Sequence, residues 1–210
     1  MAPRSNPRPD PRLAIDPHSM DLRPAGRRFY RRSTDAVARD LIGAWVARRY
    51  RGCWYGARIV ETEAYLGAMD AAAHTWRGRR TPRVEPMYQD GGHLYVFFIY
   101  GMHHCANIVT RTEGIGEAVL LRAAEGPSGA PVRLLSGPGR LCTALGITAA
   151  MSGIDLLDGD PVQLFLGRTS PLEIGVAARI GVDYAGEAKD WPLRYFDRNS
   201  PAISRLVVRA

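Results

Sequence analysis

The 210-residue chain is predicted to fold as a single α+β domain, and three observations predict it. "HLYVFFIY", "ANIVTRT" and "EAVLLRAAE" are strand-like segments joined by short turn-like links, which is the pattern of an antiparallel meander. An amphipathic helix signal precedes them at "TDAVARDLIGAWVARRY". No internal repeat and no second composition regime divides the chain. Hydrophobic content of 46% and charged content of 23% are those of an ordinary globular protein with enough length to bury a core.

Taken in order, residues 1 to about 24 carry repeated prolines and arginines with little apolar periodicity, and read as a flexible arm ahead of a domain over 25–210. In the helix that follows, Thr34 or Asp35 can serve as N-cap, and Val37, Leu41 and Ile42 form the apolar stripe. "ARIVETEAY" reads as a strand, followed by the meander. "SGPGRLCTALGI" is a Gly/Pro-rich entry into a helix that begins near Pro138. "DPVQLFLG" and "EIGVAARIGV" read as further strands, and "WPLRYFDRNSPAIS" as a tail wrapped on the surface.

No apolar run approaches the roughly 20 residues needed to cross a bilayer, and the N-terminus lacks the apolar stretch of a secretory signal. Three scattered cysteines, Cys53, Cys105 and Cys142, argue against a disulfide framework and fit a reducing cytoplasm. A net charge of +7 and a pI near 9.7 favour a polyanionic partner. Of the 28 basic residues only Lys189 is a lysine. Heavy use of Arg, Ala and Gly also follows from a GC-rich genome, so that bias carries no weight by itself.

Three groups of residues can carry chemistry. Glu61, Glu63 and Tyr65 fall on one face of an extended strand by alternation, with His74 close behind. Paired carboxylates serve as acid and base in glycoside chemistry; the competing structural reading pairs them with Arg77, Arg79 and Arg80. Burying two acids after an apolar entry is costly without a purpose. A metal site built from Glu61, Glu63 and His74 is a further alternative, but no H-E-x-x-H or Cys-pair spacing supports it, and consecutive His103, His104 and Cys105 diverge on a strand.

The second group is the aromatic strand of Tyr95, Phe97, Phe98 and Tyr100, which ends at Gly101-Met102. About half of these rings are expected in the core. A ring at a strand tip in a basic protein can instead stack on unpaired bases or wedge between base pairs. Asn107 can read a base edge or satisfy a turn. Third, "HTWRGRRTPR" offers Arg77, Arg79, Arg80, Thr81 and Arg83 as a phosphate grip, and "SGPGRL" presents backbone N–H groups at a helix start beside Arg140. The latter lacks the G-K-[ST] ending of a nucleotide-binding loop.

The combination of "RIVETEAYLG", "DAAAH", "RTPR", "YGMHHCANI", "AVLLRA", "SGPGRLCTALGI" and "RIGVDYAGEAKDWPLRY", in that order, resembles the alkyladenine (3-methyladenine, methylpurine) DNA glycosylase family of base-excision repair. The resemblance runs from about residue 28 to the C-terminus. It implies a mixed domain on a curved antiparallel β-sheet with a protruding β-hairpin that intercalates into DNA. It also implies hydrolytic excision of alkylated or deaminated purines (3-methyladenine, 7-methylguanine, hypoxanthine, ethenoadenine) from double-stranded DNA, with no cofactor and no metal. Matched residue by residue, Glu63 is the base that activates water against C1′, and Arg122 lies near the water and the sugar-phosphate. Tyr65, His74 and Phe97 wall the base pocket, and Asn107 obstructs the 2-amino group of guanine. Tyr100 fills the gap in the duplex. From the basic loops themselves, Arg79, Thr81, Arg83 and Arg140 are expected to contact the DNA backbone. Glu61 is left to support the surrounding loop.

Three positions depart from the family pattern. Phe97 replaces a common Tyr, Val84 stands where Asn often follows "TPR", and His103-His104 replaces a pair with a larger aromatic. The chemistry agrees with the resemblance on its own terms. N-alkylated purines are cationic, stack well on aromatic faces and are good leaving groups, and the bond is inaccessible until the nucleotide is flipped. A lyase needs an amine nucleophile. With Lys189 alone in the late "GEAKDW" segment, the expectation is a monofunctional enzyme. It is expected to act as a monomer in the bacterial cytoplasm, associated with the nucleoid. A non-catalytic binder of damaged nucleic acid would keep the basic loops and Tyr100 but not need Glu63, and a nucleosidase would need neither charge nor wedge.

Overall fold

The structure, a computed structural model, describes residues 7–167 and 172–204. Among the described residues, ten strands form one sheet in which every pairing is antiparallel, strongly curled along its main path of seven strands. In chain order the strands are β1 (Ala14–Ile15), β2 (Arg23–Pro24), β3 (Trp45–Tyr50), β4 (Cys53–Tyr65) and β5 (Leu94–Ile99). They continue as β6 (His103–Thr110), β7 (Glu117–Glu125), β8 (Val162–Leu166), β9 (Ile174–Ala177) and β10 (Arg194–Asp197). The described residues form three α-helices, α1 (Arg27–Tyr30), α2 (Thr34–Asp40) and α3 (Pro138–Leu145). The main path runs β2-β8-β3-β4-β7-β6-β5, and the expected meander is β5-β6-β7. None of the helices in the described residues is long and apolar enough to cross a membrane.

Strand β4, 13 residues long, is the spine. Strands β3 and then β10 pair along one edge, and β1 and then β7 along the other. Its register against β7 shifts between Ile59 and Thr62, and this irregularity reverses which face each side chain takes. Before it, Ala57 and Ile59 join the main core; after it, Ala64 does, and Thr62 donates to Ala38 O of α2 at 2.8 Å. Val60 packs on the far side with Ala123 and Ala202. Strand β7 switches in step, with Val119, Leu121 and Ala124 in the core and Ala123 on the far side. A bulge leaves an extra residue out of the ladder and so breaks strict alternation. Without it, the parity of Ala57 and Ile59 would drive Glu61 and Glu63 into the apolar core.

The main core lies between the sheet and helices α2 and α3. Leu94, Val96, Ala106 and Ile108 of β5 and β6 point into it, which sends Tyr95, Phe97, Cys105 and Asn107 to the opposite face. Helix α3 starts at Pro138, whose missing N–H costs nothing at a first helical position. It stops at Gly146, which takes the left-handed conformation (φ 65°) and lets Gly146 and Ile147 N–H reach back to Thr143 and Cys142 carbonyls.

Four expectations are corrected. The helix expected over "TDAVARDLIGAWVARRY" stops at Asp40, because Gly43 sits at φ 91° and the β-prone Trp45, Val46 and Tyr50 then enter β3. Its N-cap position belongs to Ser33 rather than Thr34 or Asp35, and the Thr34 hydroxyl is bonded to Thr110 and Glu117. The "surface tail" contains β10, buried throughout. Its polar residues are satisfied inside, Arg194 by Glu61 at 2.9 Å and Asp197 by Arg58 at 3.0 Å, so charge in the sequence did not mean exposure.

The fourth concerns the arm, whose residues 1–6 lie outside the described residues. Residues 7–24 are held against the domain. Leu13 is fully buried, Asp10 N–H donates to Ala144 O, Arg48 donates to Pro7 O, and β1 and β2 pair with β4 and β8. Single apolar anchors such as Leu13 and Leu22 between prolines show no periodicity for a sequence reading to detect.

Candidate active site and nucleic-acid interface

On the face of the sheet opposite the main core lies a cavity of about 610 Å³. Tyr65, His74, Phe97, Asn107, Tyr100 and Arg122 all line it, so it gathers side chains from distant parts of the chain. Arg140 of α3 stands at the same cavity, whereas Arg79, Thr81 and Arg83 lie outside its lining.

Glu63 is fully buried, just behind Tyr65 and Arg122. Its Oε1 accepts from Ile180 N–H at 2.8 Å and faces Arg122 Nη1 at 3.2 Å; its Oε2 accepts from the Tyr65 hydroxyl at 2.9 Å. Burial pushes the Glu63 carboxyl above the ordinary range, while Arg122, the Ile180 N–H and the Tyr65 hydroxyl pull it back. The net position is a raised one. Glu61 is equally buried but differently engaged. It pairs with Arg194 at 2.9 Å, lies 3.4 Å from Arg122 Nε and accepts Ser204 N–H at 2.8 Å. Arg122 thus bridges the two acids, and its Nη2 donates to Ser204 Oγ at 3.2 Å. The partners are not the arginines of the 77–80 loop weighed from the sequence; Arg80 instead pairs with Glu85.

The walls are ordered by a second buried ion pair that the sequence reading missed. Arg179 and Asp70 are both fully buried, and Arg179 Nη1 and Nη2 each donate to one Asp70 carboxylate oxygen. Asp70 also accepts Leu66 and Ala72 N–H at 3.0 Å each, which folds the loop that leads from β4 to His74. The Arg179 guanidinium lies over the Tyr65 ring at 4.8 Å. Nothing local marks the pair, since 109 residues separate its members.

His74 Nδ1 shares a hydrogen bond with the Tyr95 hydroxyl (2.9 Å). Its ring meets Phe97 edge-on with centroids 4.6 Å apart. Burial, then Arg83 and Arg79, hold the His74 imidazole below its ordinary pKa, and burial pushes the Tyr95 phenol up to about 12. Asn107 is buried with its amide nitrogen donating to Tyr95 O at 3.1 Å, which fixes the direction of its carbonyl. Of the aromatic strand, Tyr95 is core-like and Phe97 half-buried, while Phe98 and Tyr100 are exposed. Val84 is buried beside Met87, Tyr88 and Tyr95, so the apolar residue at this position fills a satellite core.

Tyr100 is 81% exposed at the tip of the β5–β6 hairpin. Tyr100 and Gly101 both take positive φ (53° and 68°), the signature of a tight hairpin turn, and Met102 beside them is 69% exposed. The tip is therefore an apolar projection that the described residues leave largely uncovered. Arg79 and Arg83 are exposed on one side of the cavity, Arg83 5.9 Å over the Phe97 ring, with Thr81 half-buried between them.

The chain matches a family model described as methylpurine-DNA glycosylase over residues 28–201. It is 43% identical over 198 residues to a protein of Desulfitobacterium hafniense, covering 85% of this chain and 97% of that one. A Bdellovibrio bacteriovorus protein is 44% identical (84% and 96% covered), and one from Methanocella arvoryzae 41% identical (85% and 94% covered). All three carry the name "Putative 3-methyladenine DNA glycosylase".

Proposed function

This chain belongs to the methylpurine-DNA glycosylase family and is a DNA N-glycosylase of alkylation repair; from that premise we propose how it works and on what. The damaged nucleotide is flipped from double-stranded DNA into the cavity, and the base is sandwiched by Tyr65, His74 and Phe97. The observation that carries this reading is a fully buried carboxylate, Glu63, held by three donors at the back of an aromatic-walled cavity.

In the reaction, Glu63 takes a proton from water as the water oxygen bonds to C1′, and the electron pair of the C1′–N bond leaves with the purine. A cationic 3-methyladenine or 7-methylguanine departs as a neutral base, so no acid is required at that step. Hypoxanthine and ethenoadenine belong to the same proposed range but leave less readily. Tyr65 and Arg122 stand between Glu63 and the cavity, so water meets the carboxylate as those two side chains part around the bound sugar. The Arg122 charge keeps the base ionised and faces the sugar-phosphate. Asn107 obstructs the 2-amino group of guanine, and Tyr100 fills the space left in the duplex. Arg79, Thr81, Arg83 and Arg140 hold phosphates.

Lys189 lies on the 3-10 turn Gly186–Asp190 and does not line the cavity, which supports a monofunctional enzyme that leaves an intact abasic site. One copy of the chain carries base, walls and wedge, so the working form is a monomer. A non-catalytic binder would have no use for a buried, raised Glu63. The test is single-turnover release of 3-methyladenine or hypoxanthine from a duplex by wild type and Glu63→Gln. A loss of several hundredfold or more is expected; equal rates would remove Glu63 from its role.

A further inference from the structure

The residues ahead of the family match, 7–24, contribute to a second concavity that no part of the excision chemistry uses. It measures about 420 Å³ and lies along α3, between that helix and the arm. Arg8, Arg133, Arg140 and His103 line it, and it shares His103 and Arg140 with the base cavity. The two are therefore neighbours on one face of the molecule, joined where the His103 ring, beside the tip of the β5–β6 hairpin, packs against Gly139.

The charge in this groove is uncompensated. Arg8, Arg133 and Arg140 are exposed, and among the described residues none of them has a carboxylate partner. The one acid in the lining, Asp10, is bound to Arg12 through both of its oxygens, at 3.0 and 2.7 Å, and so is already neutralised. Arg8 does not trail in solvent. Arg48 holds Pro7 O on one side of it at 2.7 Å, and Asp10 N–H is tied to Ala144 O on the other at 2.8 Å. A cation fixed between two anchors loses less freedom when it binds an anion than one on a free arm.

We propose that Arg8 and Arg133, together with Arg140, form a second groove for the sugar-phosphate backbone of duplex DNA, one wall of which is supplied by the N-terminal arm. The proposal rests on the glycosylase reading, since a duplex with its flipped nucleotide in the cavity and Tyr100 in its stack must run over the adjoining surface. The basic loop at Arg79 and Arg83 then grips the backbone on one flank of the cavity and the arm groove grips it on the other. Phosphates carry no sequence or damage signal, so this groove adds affinity for damaged and undamaged DNA alike.

The test is the salt dependence of binding to a short undamaged duplex and to one carrying a lesion, for wild type, Arg8→Ala/Arg133→Ala and Arg8→Lys/Arg133→Lys. Each lost phosphate contact removes about 0.9 from the slope of log K against log salt. The alanine variant is therefore expected to show a slope shallower by about 1.8, equally on both duplexes, and the lysine variant a slope close to wild type. A wild-type slope in the alanine variant overturns the groove, and so does a loss that lysine fails to restore, because that would reflect arm packing rather than charge. Base release by the wild-type protein is measured alongside. Its absence would count against the excision reading, while an unchanged slope with excision intact counts against the groove alone.

Discussion

Arg122 Nη1 stands 3.2 Å from Glu63 Oε1, and this is the cationic contact to the buried proposed base. A buried carboxylate is otherwise driven toward its protonated form, in which it cannot accept a proton from water. Excision should therefore rise with pH through the Glu63 pKa, on an acid limb placed above the ordinary carboxylate range. Arg122→Gln removes the main opposing influence, so the limb moves to higher pH and the rate at a fixed pH on the limb falls tenfold for each unit moved. Single-turnover rates from pH 5 to 9 read this directly. Coincident limbs for the two proteins would mean that Arg122 does not set the ionisation of Glu63.

Tyr65→Phe keeps the pocket ring and removes the hydroxyl that donates to Glu63 Oε2. The carboxylate loses one of its hydrogen-bond donors, so its limb also moves up, by less than in Arg122→Gln because a neutral donor stabilises charge less than a cation does. At the alkaline end the two profiles converge. A uniform fall in rate at every pH would instead place the hydroxyl in substrate contact.

How much of this was legible in the sequence depends on distance along the chain. The meander, α3 and the exposed hairpin ring are local patterns, and each could be read from a few consecutive residues. Alternation placed Glu61, Glu63 and Tyr65 on one face, but it could not say which face, because the shift between Ile59 and Thr62 is a property of the pairing with β7. The same blindness hid β10, whose Arg194 and Asp197 look like surface charges until Glu61 and Arg58 meet them. It also hid the Ile180 N–H that binds Glu63. Long-range polar partners turn apparent surface residues into buried ones, and no window on one segment contains them.

His74 is held below its ordinary pKa of 6.5 by burial and by Arg83 and Arg79. The unfolded chain then binds a proton that the native state refuses, so this residue lowers stability as pH falls below 6.5 toward its folded pKa. At pH 7 the ring is neutral, which suits the proposed role of a wall against a cationic purine. A pH titration of the His74 ring resonances should give a midpoint below 6.5, and one at or above that value would contradict the geometry.

Tyr100 occupies the left-handed region at φ 53° while 81% exposed. A bulky residue there stores roughly 1–3 kcal/mol of backbone strain with almost no packing in return, which points to a role outside the folded chain. Tyr100→Gly should leave thermal stability unchanged or raise it slightly, yet slow excision from a duplex. The defect should be much smaller on a single-stranded substrate, where no stack has to be filled. An equal loss on both substrates would argue that Tyr100 acts on the base and not on the duplex.

The Asp70–Arg179 pair supports the site from a position where neither side chain has access to water. Removing one member leaves a charge buried without its counterpart, which costs about 3–5 kcal/mol in such settings. Asp70→Asn and Arg179→Gln should each lower stability by that order, and the double variant should lose clearly less than their sum, since it strands no charge. Activity should fall in all three, because the loop from Leu66 to His74 hangs on Asp70 and the Tyr65 ring lies under Arg179. The fall should appear as a loss of discrimination as well as rate, since both pocket walls shift while Glu63 keeps Arg122. Denaturant unfolding of the four proteins gives the coupling, and base release from 3-methyladenine and from undamaged DNA gives the discrimination. Additive single losses would show that the two residues act separately, and unchanged discrimination would show that the walls are held by something else.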